Sequence, residues 1–185
     1  MSKALVINLF GGPGCGKSTT MARLFADLKT RGFNVEMVSE FAKDLVYEQR
    51  QETMKDELYI FAKQHHRLFR VADKVDIIIT DRPLLLTNIY VKLYLPDNDF
   101  KIDLIRLVRS TFDTFNNCNI LLDREGVNYK TEGRLQNLQE SREIDILTIN
   151  ELDLSRQSYS IFHTTNYESI LEHVLDRINI ESYEL

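Results

Sequence analysis

Glycine and proline are scarce in this sequence, which has only 7 Gly and 3 Pro in 185 residues. A low-complexity or collagen-like chain is therefore excluded. The two cysteines, Cys15 and Cys118, are too few for a disulfide framework or a four-ligand zinc site. No stretch approaches the roughly 20 apolar residues of a membrane span, and we expect no cleavable signal at the N-terminus. These absences predict a protein with no membrane partner, in a reducing, cytoplasmic setting.

Charge of one sign does not dominate the chain. Lys and Arg number 23, Asp and Glu number 28, and the net charge is −5. This balance argues against a protein that coats nucleic acid or membrane by bulk charge, and it leaves room for a local basic patch. Hydrophobic residues make up 43% of the chain, which is enough for a core. Because no internal repeat or flexible linker is visible, we expect one domain over residues 1–185.

Short apolar runs alternate with amphipathic segments along the chain. This alternation is typical of an α/β fold, in which helices cover both faces of a parallel sheet. The predicted strands cover residues 4–10, 33–38, 75–80, 119–123 and 159–163. The predicted helices cover residues 41–50, 53–72, 83–94, 136–154 and 167–178, with one more around residues 21–28 and another after the turn at 96–98.

The most specific motif lies between the first predicted strand and the first helix. Residues 11–18 read Gly-Gly-Pro-Gly-Cys-Gly-Lys-Ser and match the phosphate-loop pattern G-x-x-x-x-G-K-[ST]. Main-chain N–H groups of such a loop form a concave anion site, Lys17 reaches the β- and γ-phosphates, and the Ser18 hydroxyl holds Mg²⁺. A glycine-rich turn capped by Ser18 is the alternative, and the flanking strand and helix favour the nucleotide site. The predicted ATP-binding residues are Gly11, Gly12, Pro13, Gly14, Cys15, Gly16, Lys17, Ser18 and Thr19.

The residues after the third strand distinguish between classes of phosphate-loop protein. No N-K-x-D or T-K-x-D element for reading guanine is present, which argues against a switch GTPase. Motor-like ATPases usually place a water-activating Glu after the Asp that ends this strand, but here Arg82 follows Asp81. Arginine cannot act as a general base, whereas its guanidinium can bind a phosphate or an acceptor through charged hydrogen bonds. The pattern therefore favours a transferase.

The chain resembles the phosphate-loop nucleoside and nucleotide kinases. Thymidylate kinase and the deoxynucleoside kinases are broad relatives, and NadR-type ribosylnicotinamide kinases and small bacteriophage kinase-like proteins are more similar. The resemblance rests on the phosphate loop, on Glu40 after the second strand, on the Asp81-Arg82 pair and on arginines in a lid at about residues 124–142. It implies a three-layer fold with strand order 2-3-1-4-5, ATP and Mg²⁺ as cofactors, and transfer to a hydroxyl or a phosphate.

Roles for the acidic residues follow from where the strands end. In a doubly wound sheet the ligand binds beyond the carboxyl ends of the strands, so Glu40 and Asp81 are expected beside Lys17. We assign Glu40 to the acceptor hydroxyl and Asp81 to Mg²⁺, through water, or to acceptor orientation. The alternatives are structural: Glu40 complements a helix dipole, and Asp81 caps the helix that begins at Pro83.

Two lid arginines complete the predicted site. Arg134 and Arg142 lie eight positions apart, so on a continuous helix they share a face about 12 Å apart, enough to span a donor and an acceptor. An ordinary solvated surface is the alternative for both. Gln64 is a weaker candidate, by family analogy, for reading an acceptor base. The catalytic candidates are Lys17, Glu40, Asp81, Arg82, Arg134 and Arg142, and the metal ligands are Ser18 and Asp81.

The sequence therefore predicts an ATP- and Mg²⁺-dependent phosphotransferase. Its acceptor is a nucleoside, a nucleotide or a nucleoside-like hydroxyl or phosphate, and a modified pyrimidine nucleotide, free or within DNA, falls within this class. The alternative is a phosphate-loop ATPase or nucleotide-binding module with no small-molecule acceptor. The identity of the acceptor and the oligomeric state do not follow from the sequence.

Overall fold

Five strands alternate with seven α-helices in the part of the chain that a computed structural model describes, residues 4–126 and 136–183. The strands are β1 (Leu5–Phe10), β2 (Val35–Val38), β3 (Ile77–Thr80), β4 (Asn116–Asp123) and β5 (Ser160–His163). The helices are α1 (Lys17–Thr30), α2 (Phe41–Tyr47), α3 (Glu57–Phe69), α4 (Leu86–Tyr94), α5 (Asp99–Phe112), α6 (Leu138–Leu154) and α7 (Tyr167–Tyr183), with a short 3₁₀ helix at Thr53–Lys55.

The strands form one parallel sheet in the order β2-β3-β1-β4-β5. The predicted order 2-3-1-4-5 is therefore confirmed. β1 is central, with Val6 beside Ile78 of β3 on one side and beside Asn117 of β4 on the other. Since all strands run the same way, the loops that follow β1, β2, β3 and β4 meet at one edge of the sheet.

Alternating side chains of the strands feed two separate cores, one on each face of the sheet. Val6 and Phe10 of β1 belong to the core that contains residues of α3, α4, α5 and α6. Leu5, Ile7 and Leu9 belong to the opposite core, with residues of α1 and α7. Both faces of β1 are thus covered, which explains why every residue of the strand except Asn8 is apolar.

Side-chain caps place the starts of three helices. Asp56 accepts a hydrogen bond from the Tyr59 amide and begins α3, so the helix predicted over residues 53–72 is divided into the 3₁₀ turn and α3. Asn98 caps α5 in the same way. Asn137 and Glu140 form a reciprocal capping box that begins α6. Each cap satisfies amides that the first helical turn leaves without a partner.

Several element boundaries differ from the sequence prediction, among them the starts of α4 and β4. Pro83 does not begin a helix: the chain forms i→i+3 turns there, and α4 begins at Leu86. β4 begins at Asn116, three residues before the predicted start. Its polar residues are paired, because the buried Asn8 amide donates to Asn117 at 2.9 Å and to Asn119 at 3.1 Å. Apolar periodicity gives no signal for such an amide cluster in a strand.

Candidate functional site

The phosphate loop runs from the end of β1 to the start of α1, as predicted. Gly16 precedes α1 with φ +100°, a left-handed conformation that disfavours side chains. A Cβ atom at Gly16 would also overlap the methyl group of Thr164. The Thr164 hydroxyl donates to the carbonyl of the buried Cys15 at 2.6 Å, which ties the loop to the segment after β5. Local backbone geometry and a neighbouring strand end therefore both require glycine here.

Lys17 is the first residue of α1, and its side chain folds back over the loop. Its ammonium group donates to the carbonyl of Gly11 at 2.6 Å and to that of Gly12 at 2.9 Å. The positive charge therefore lies beside the helix N-terminus, where an anion is already favoured. The arrangement is suited to a polyphosphate.

The opposite side of the loop is held by α6. The Gly12 amide donates to the Asp145 carboxylate at 2.5 Å, and the same carboxylate forms an ion pair with Arg124 at 2.5 Å. Arg124 also donates to the carbonyls of Pro13 and Ser141, both at 3.2 Å. A Cβ atom at Gly12 would overlap the Ser141 carbonyl, so α6 packs directly on the loop.

Asp81 connects three predicted site residues. One of its carboxylate oxygens accepts a hydrogen bond from the Ser18 hydroxyl at 2.5 Å. The other accepts from the Glu40 amide at 3.0 Å. A hydroxyl and a carboxylate side by side at the phosphate loop are hard oxygen ligands of the kind that Mg²⁺ prefers, so the residues present fit this ion.

The buried Arg82 forms an ion pair with the partly exposed Glu40, with 3.1 Å between the guanidinium Nη1 and the carboxylate. Its guanidinium also lies 4.4 Å from the centre of the Tyr90 ring. Burial alone lowers the pKa of Arg82, but the charge of Glu40 and the contacts with Tyr90 outweigh it and raise the pKa. Burial raises the pKa of Tyr90 to about 12, so its hydroxyl remains protonated. Arg82 is therefore a permanent cation beside Glu40.

A cavity of about 780 Å³ extends from the phosphate loop past Glu40 and Arg82 to the space between α2, α3 and α4. Apolar and aromatic side chains line it together with a few polar and charged ones, as is usual for small-molecule sites. Those from the phosphate loop and α1 are Gly11, Pro13, Gly14, Gly16, Lys17, Ser18 and Thr19. Those farther out include Lys43, Val46, Tyr47, Met54, Glu57, Ile60, Leu86, Tyr90 and Tyr94.

Not every predicted residue lines this cavity. Gly12, Cys15 and Asp81 are not among its lining residues, although Gly12 and Cys15 contact Lys17 and Asp81 contacts Ser18. Arg142 is exposed on α6 and does not line the cavity either. Arg134 lies outside the described residues, so the predicted pairing of the two lid arginines stays a prediction.

Three residues near the site were not assigned their structural roles from the sequence. Gln64 is buried and holds the turn before α2, since its amide accepts from the Phe41 N–H at 2.9 Å and donates to the Ser39 carbonyl at 3.4 Å. This contact, rather than base reading, is what the structure shows for Gln64. Glu57 and Tyr90 line the cavity from α3 and α4. The sequence positions of Glu57 and Tyr90 do not predict this, because only the packing of α3 against α4 brings the two side chains to one cavity.

The profile of an AAA domain family matches residues 6–169, most of the chain. The chain belongs to this AAA domain family. The fold of this AAA domain is an α/β P-loop NTPase fold, as the motif and strand order predict. No curated protein matches its sequence significantly.

Two crystal structures of NadR have the same fold as this AAA domain. NadR in complex with NR has a TM-score of 0.67 and 18% identity, over 94% of this chain and 51% of that one. NadR in complex with NAD and AMP-PNP has a TM-score of 0.60 and 17% identity, over 96% and 50% of the two chains. The chain thus spans about half the length of NadR. The likeness to NadR is confirmed at the level of fold, whereas the relation to thymidylate kinase stays a prediction. Within the described residues, none of the helices has the length and hydropathy needed to span a bilayer.

Proposed function

We propose that this AAA domain transfers a phosphoryl group from ATP·Mg²⁺ to a nucleoside-like acceptor. The observation that carries the proposal is a continuous cavity that joins the phosphate loop to Glu40 and Arg82. A nucleotide-binding module needs only the loop. A phosphotransferase needs a second compartment beside it, with groups that orient an acceptor.

The donor half of the proposed mechanism uses the loop and two oxygen ligands. The loop amides and Lys17 bind the β- and γ-phosphates and stabilise negative charge on the phosphoryl group during its transfer. The Ser18 hydroxyl and the Asp81 carboxylate, which lie 2.5 Å apart, would hold Mg²⁺ directly or through water. The ion supplies charge neutralisation at the phosphate oxygens. Asp81 also fixes the Glu40 backbone, so donor and acceptor groups share one anchor.

The acceptor half uses the Glu40–Arg82 pair. Glu40 accepts a hydrogen bond from the acceptor hydroxyl and takes its proton as the acceptor oxygen bonds to the γ-phosphorus. The bond from that phosphorus to the β,γ-bridging oxygen breaks in the same transfer, and ADP leaves. Arg82, held at 3.1 Å, keeps the Glu40 carboxylate in one orientation. No covalent enzyme intermediate is needed, since phosphoryl transfer depends mainly on positioning and charge.

The shape and lining of the outer cavity support a nucleoside-like acceptor. Tyr47, Tyr90 and Tyr94 offer aromatic surface for a base, and Met54 and Ile60 offer apolar surface. The NadR structures, which share the fold, hold NR in one case and NAD with AMP-PNP in the other. A cavity of about 780 Å³ is large enough for a molecule of nucleoside size.

The test measures ATP consumption and label transfer from γ-labelled ATP. The acceptor panel contains the common ribo- and deoxyribonucleosides, NR, nucleoside monophosphates and duplex DNA. We expect label on a nucleoside or NR and little consumption of ATP without an acceptor. ATP hydrolysis that no acceptor changes, with no labelled product, would contradict the proposal and favour an ATPase.

Lys17→Ala tests the phosphate loop itself. Loss of the ammonium group removes charge stabilisation from the transferred phosphoryl group, and we expect turnover to fall by a factor of about 100 or more. Lys29→Ala is the matched control, because Lys29 is an exposed lysine at the far end of the same helix. Near-normal turnover of the Lys17 variant would remove the loop from the mechanism.

A further inference from the structure

Glu57 is a buried acid on the cavity wall. It is the first residue of α3, lines the cavity and is only 4% exposed. Its carboxylate oxygen Oε2 is shielded from solvent and has no hydrogen-bond partner among the described residues. A buried polar group of this kind is costly, so a native chain that keeps one calls for an explanation.

Arg82 contributes a second such atom. Its Nη1 donates to Glu40 and its guanidinium carbon lies over the Tyr90 ring, but its buried Nε has no hydrogen-bond partner among the described residues. In the described part of the chain three buried side-chain atoms lack a partner, and the third is the Asn88 carbonyl oxygen. Two of the three therefore belong to residues that line the same cavity. One of these is a hydrogen-bond acceptor and the other a donor.

The electrostatics around Glu57 agree with an incomplete site. Burial raises the pKa of Glu57 to about 7, against the charge of Arg82, which lowers it, and with a small contribution from Asp56, which raises it. The charge of Arg82 thus does not fully compensate the buried carboxylate. A ligand in the cavity that carries a hydrogen-bond donor would supply the hydrogen bond that the Glu57 carboxylate lacks.

We propose that Glu57 is an acceptor-binding and specificity-determining residue whose carboxylate accepts a hydrogen bond from an O–H or N–H group of the phosphoryl acceptor, beside Arg82. The ligand chemistry is a donor next to an acceptor atom, as in two adjacent sugar hydroxyls or the edge of an amide. Because Oε2 is shielded, the contact requires the carboxylate to rotate toward the cavity. This inference rests on the proposed function and adds to it the group that selects the acceptor.

Glu57→Gln is the central variant, since it keeps the shape and removes the charged acceptor oxygen. Initial rates are measured at pH 8, where Glu57 is ionised, with the panel nucleoside, or NR, that the wild type phosphorylates fastest. We expect the KM for this acceptor to rise by a factor of about ten or more, because a hydrogen bond to a charged group is lost. The KM for ATP should change less than twofold. Glu57→Asp, which retains the charge, should recover part of the affinity.

A structural role would give a different result. If Glu57 only supported α3, its variants would lower the melting temperature and change both KM values together. Glu172→Gln, at an exposed glutamate of α7, is the control and should leave both KM values unchanged.

The outcomes separate this inference from the function on which it rests. An active wild type with an unchanged acceptor KM in Glu57→Gln overturns the role of Glu57 alone. A wild type that phosphorylates nothing in the panel overturns the proposed function and this inference together.

Discussion

Glu57 should make the fold less stable at alkaline pH, and Glu57→Gln should relieve that effect. The carboxyl is almost fully buried, and its pKa is raised from 4.5 to about 7. Between these two values the folded chain holds a proton that the unfolded chain releases. The contribution of Glu57 to the free energy of unfolding therefore falls as pH rises from about 4.5 to about 7 and is constant above.

The magnitude follows from the size of the shift. A raised pKa of about 7 against 4.5 corresponds to about 3 kcal/mol of lost stability once the carboxylate is ionised in both states. At pH 5 the same linkage costs less than about 1 kcal/mol. Glutamine mimics the neutral carboxyl and does not ionise. The free energy of unfolding of Glu57→Gln, relative to that of the wild type, should therefore be about 2 to 3 kcal/mol higher at pH 8 than at pH 5.

Urea unfolding at pH 5 and at pH 8 measures this difference, with both proteins in the same buffers. Titrations common to the two proteins cancel, so the change in their stability gap reports Glu57. Glu172→Gln changes an exposed glutamate, so its free energy of unfolding should stay within about 0.5 kcal/mol of the wild-type value at both pH values. An equal gap at pH 5 and pH 8 for Glu57→Gln would refute the assignment of an uncompensated buried carboxylate.

Two other variants separate positioning of the site from stability of the fold. Gln64→Leu leaves the buried Phe41 N–H without its partner at 2.9 Å, so it should cost about 1 to 3 kcal/mol and lower kcat, because the turn that carries Glu40 loosens, while the KM for ATP stays the same. Glu151→Ala leaves the Arg109 guanidinium, held at 2.9 and 3.0 Å, without its carboxylate, so it should cost about 3 to 5 kcal/mol with kcat unchanged. Denaturant unfolding and initial rates measure both.

The controls for these variants are exposed residues of α6. Gln139→Leu and Glu143→Ala should leave stability and rates close to those of the wild type. Normal kcat in Gln64→Leu would show that the turn holds Glu40 without this amide. Loss of kcat in a folded Glu151→Ala would show that the helices behind the cavity also set its geometry.

Much of the fold was predictable because its signals are local. Apolar runs and amphipathic stripes predict the strands and helices, and the phosphate-loop motif lies where a strand leads into a helix. The errors occur where contacts distant in sequence decide the outcome. The early start of β4 depends on pairing between Asn8 and two asparagines more than 100 positions away. The division of the helix over residues 53–72 depends on the Asp56 cap, which the sequence analysis did not identify.

The candidate site also has a part that the sequence predicts and a part that depends on tertiary contacts. Glu40, Asp81 and Arg82 follow the ends of neighbouring strands, so their approach to Lys17 was predictable from the topology of a parallel sheet. Their mutual contacts were not, because the pairing of Arg82 with Glu40 depends on side-chain directions in a packed interior. The change of role for Gln64 has the same origin, since its partners are backbone groups about 25 positions earlier.

The amino-acid order alone determined a parallel α/β sheet and a phosphate-binding turn, because periodicity and glycine geometry act over a few residues at a time. Only the tertiary structure decided that Glu57 lines the cavity without a hydrogen-bond partner for its Oε2 and that Arg82 is shared between Glu40 and Tyr90. Burial and charge interactions arise from groups that folding brings together, and in a linear sequence an acid on a cavity wall looks the same as an acid on the surface.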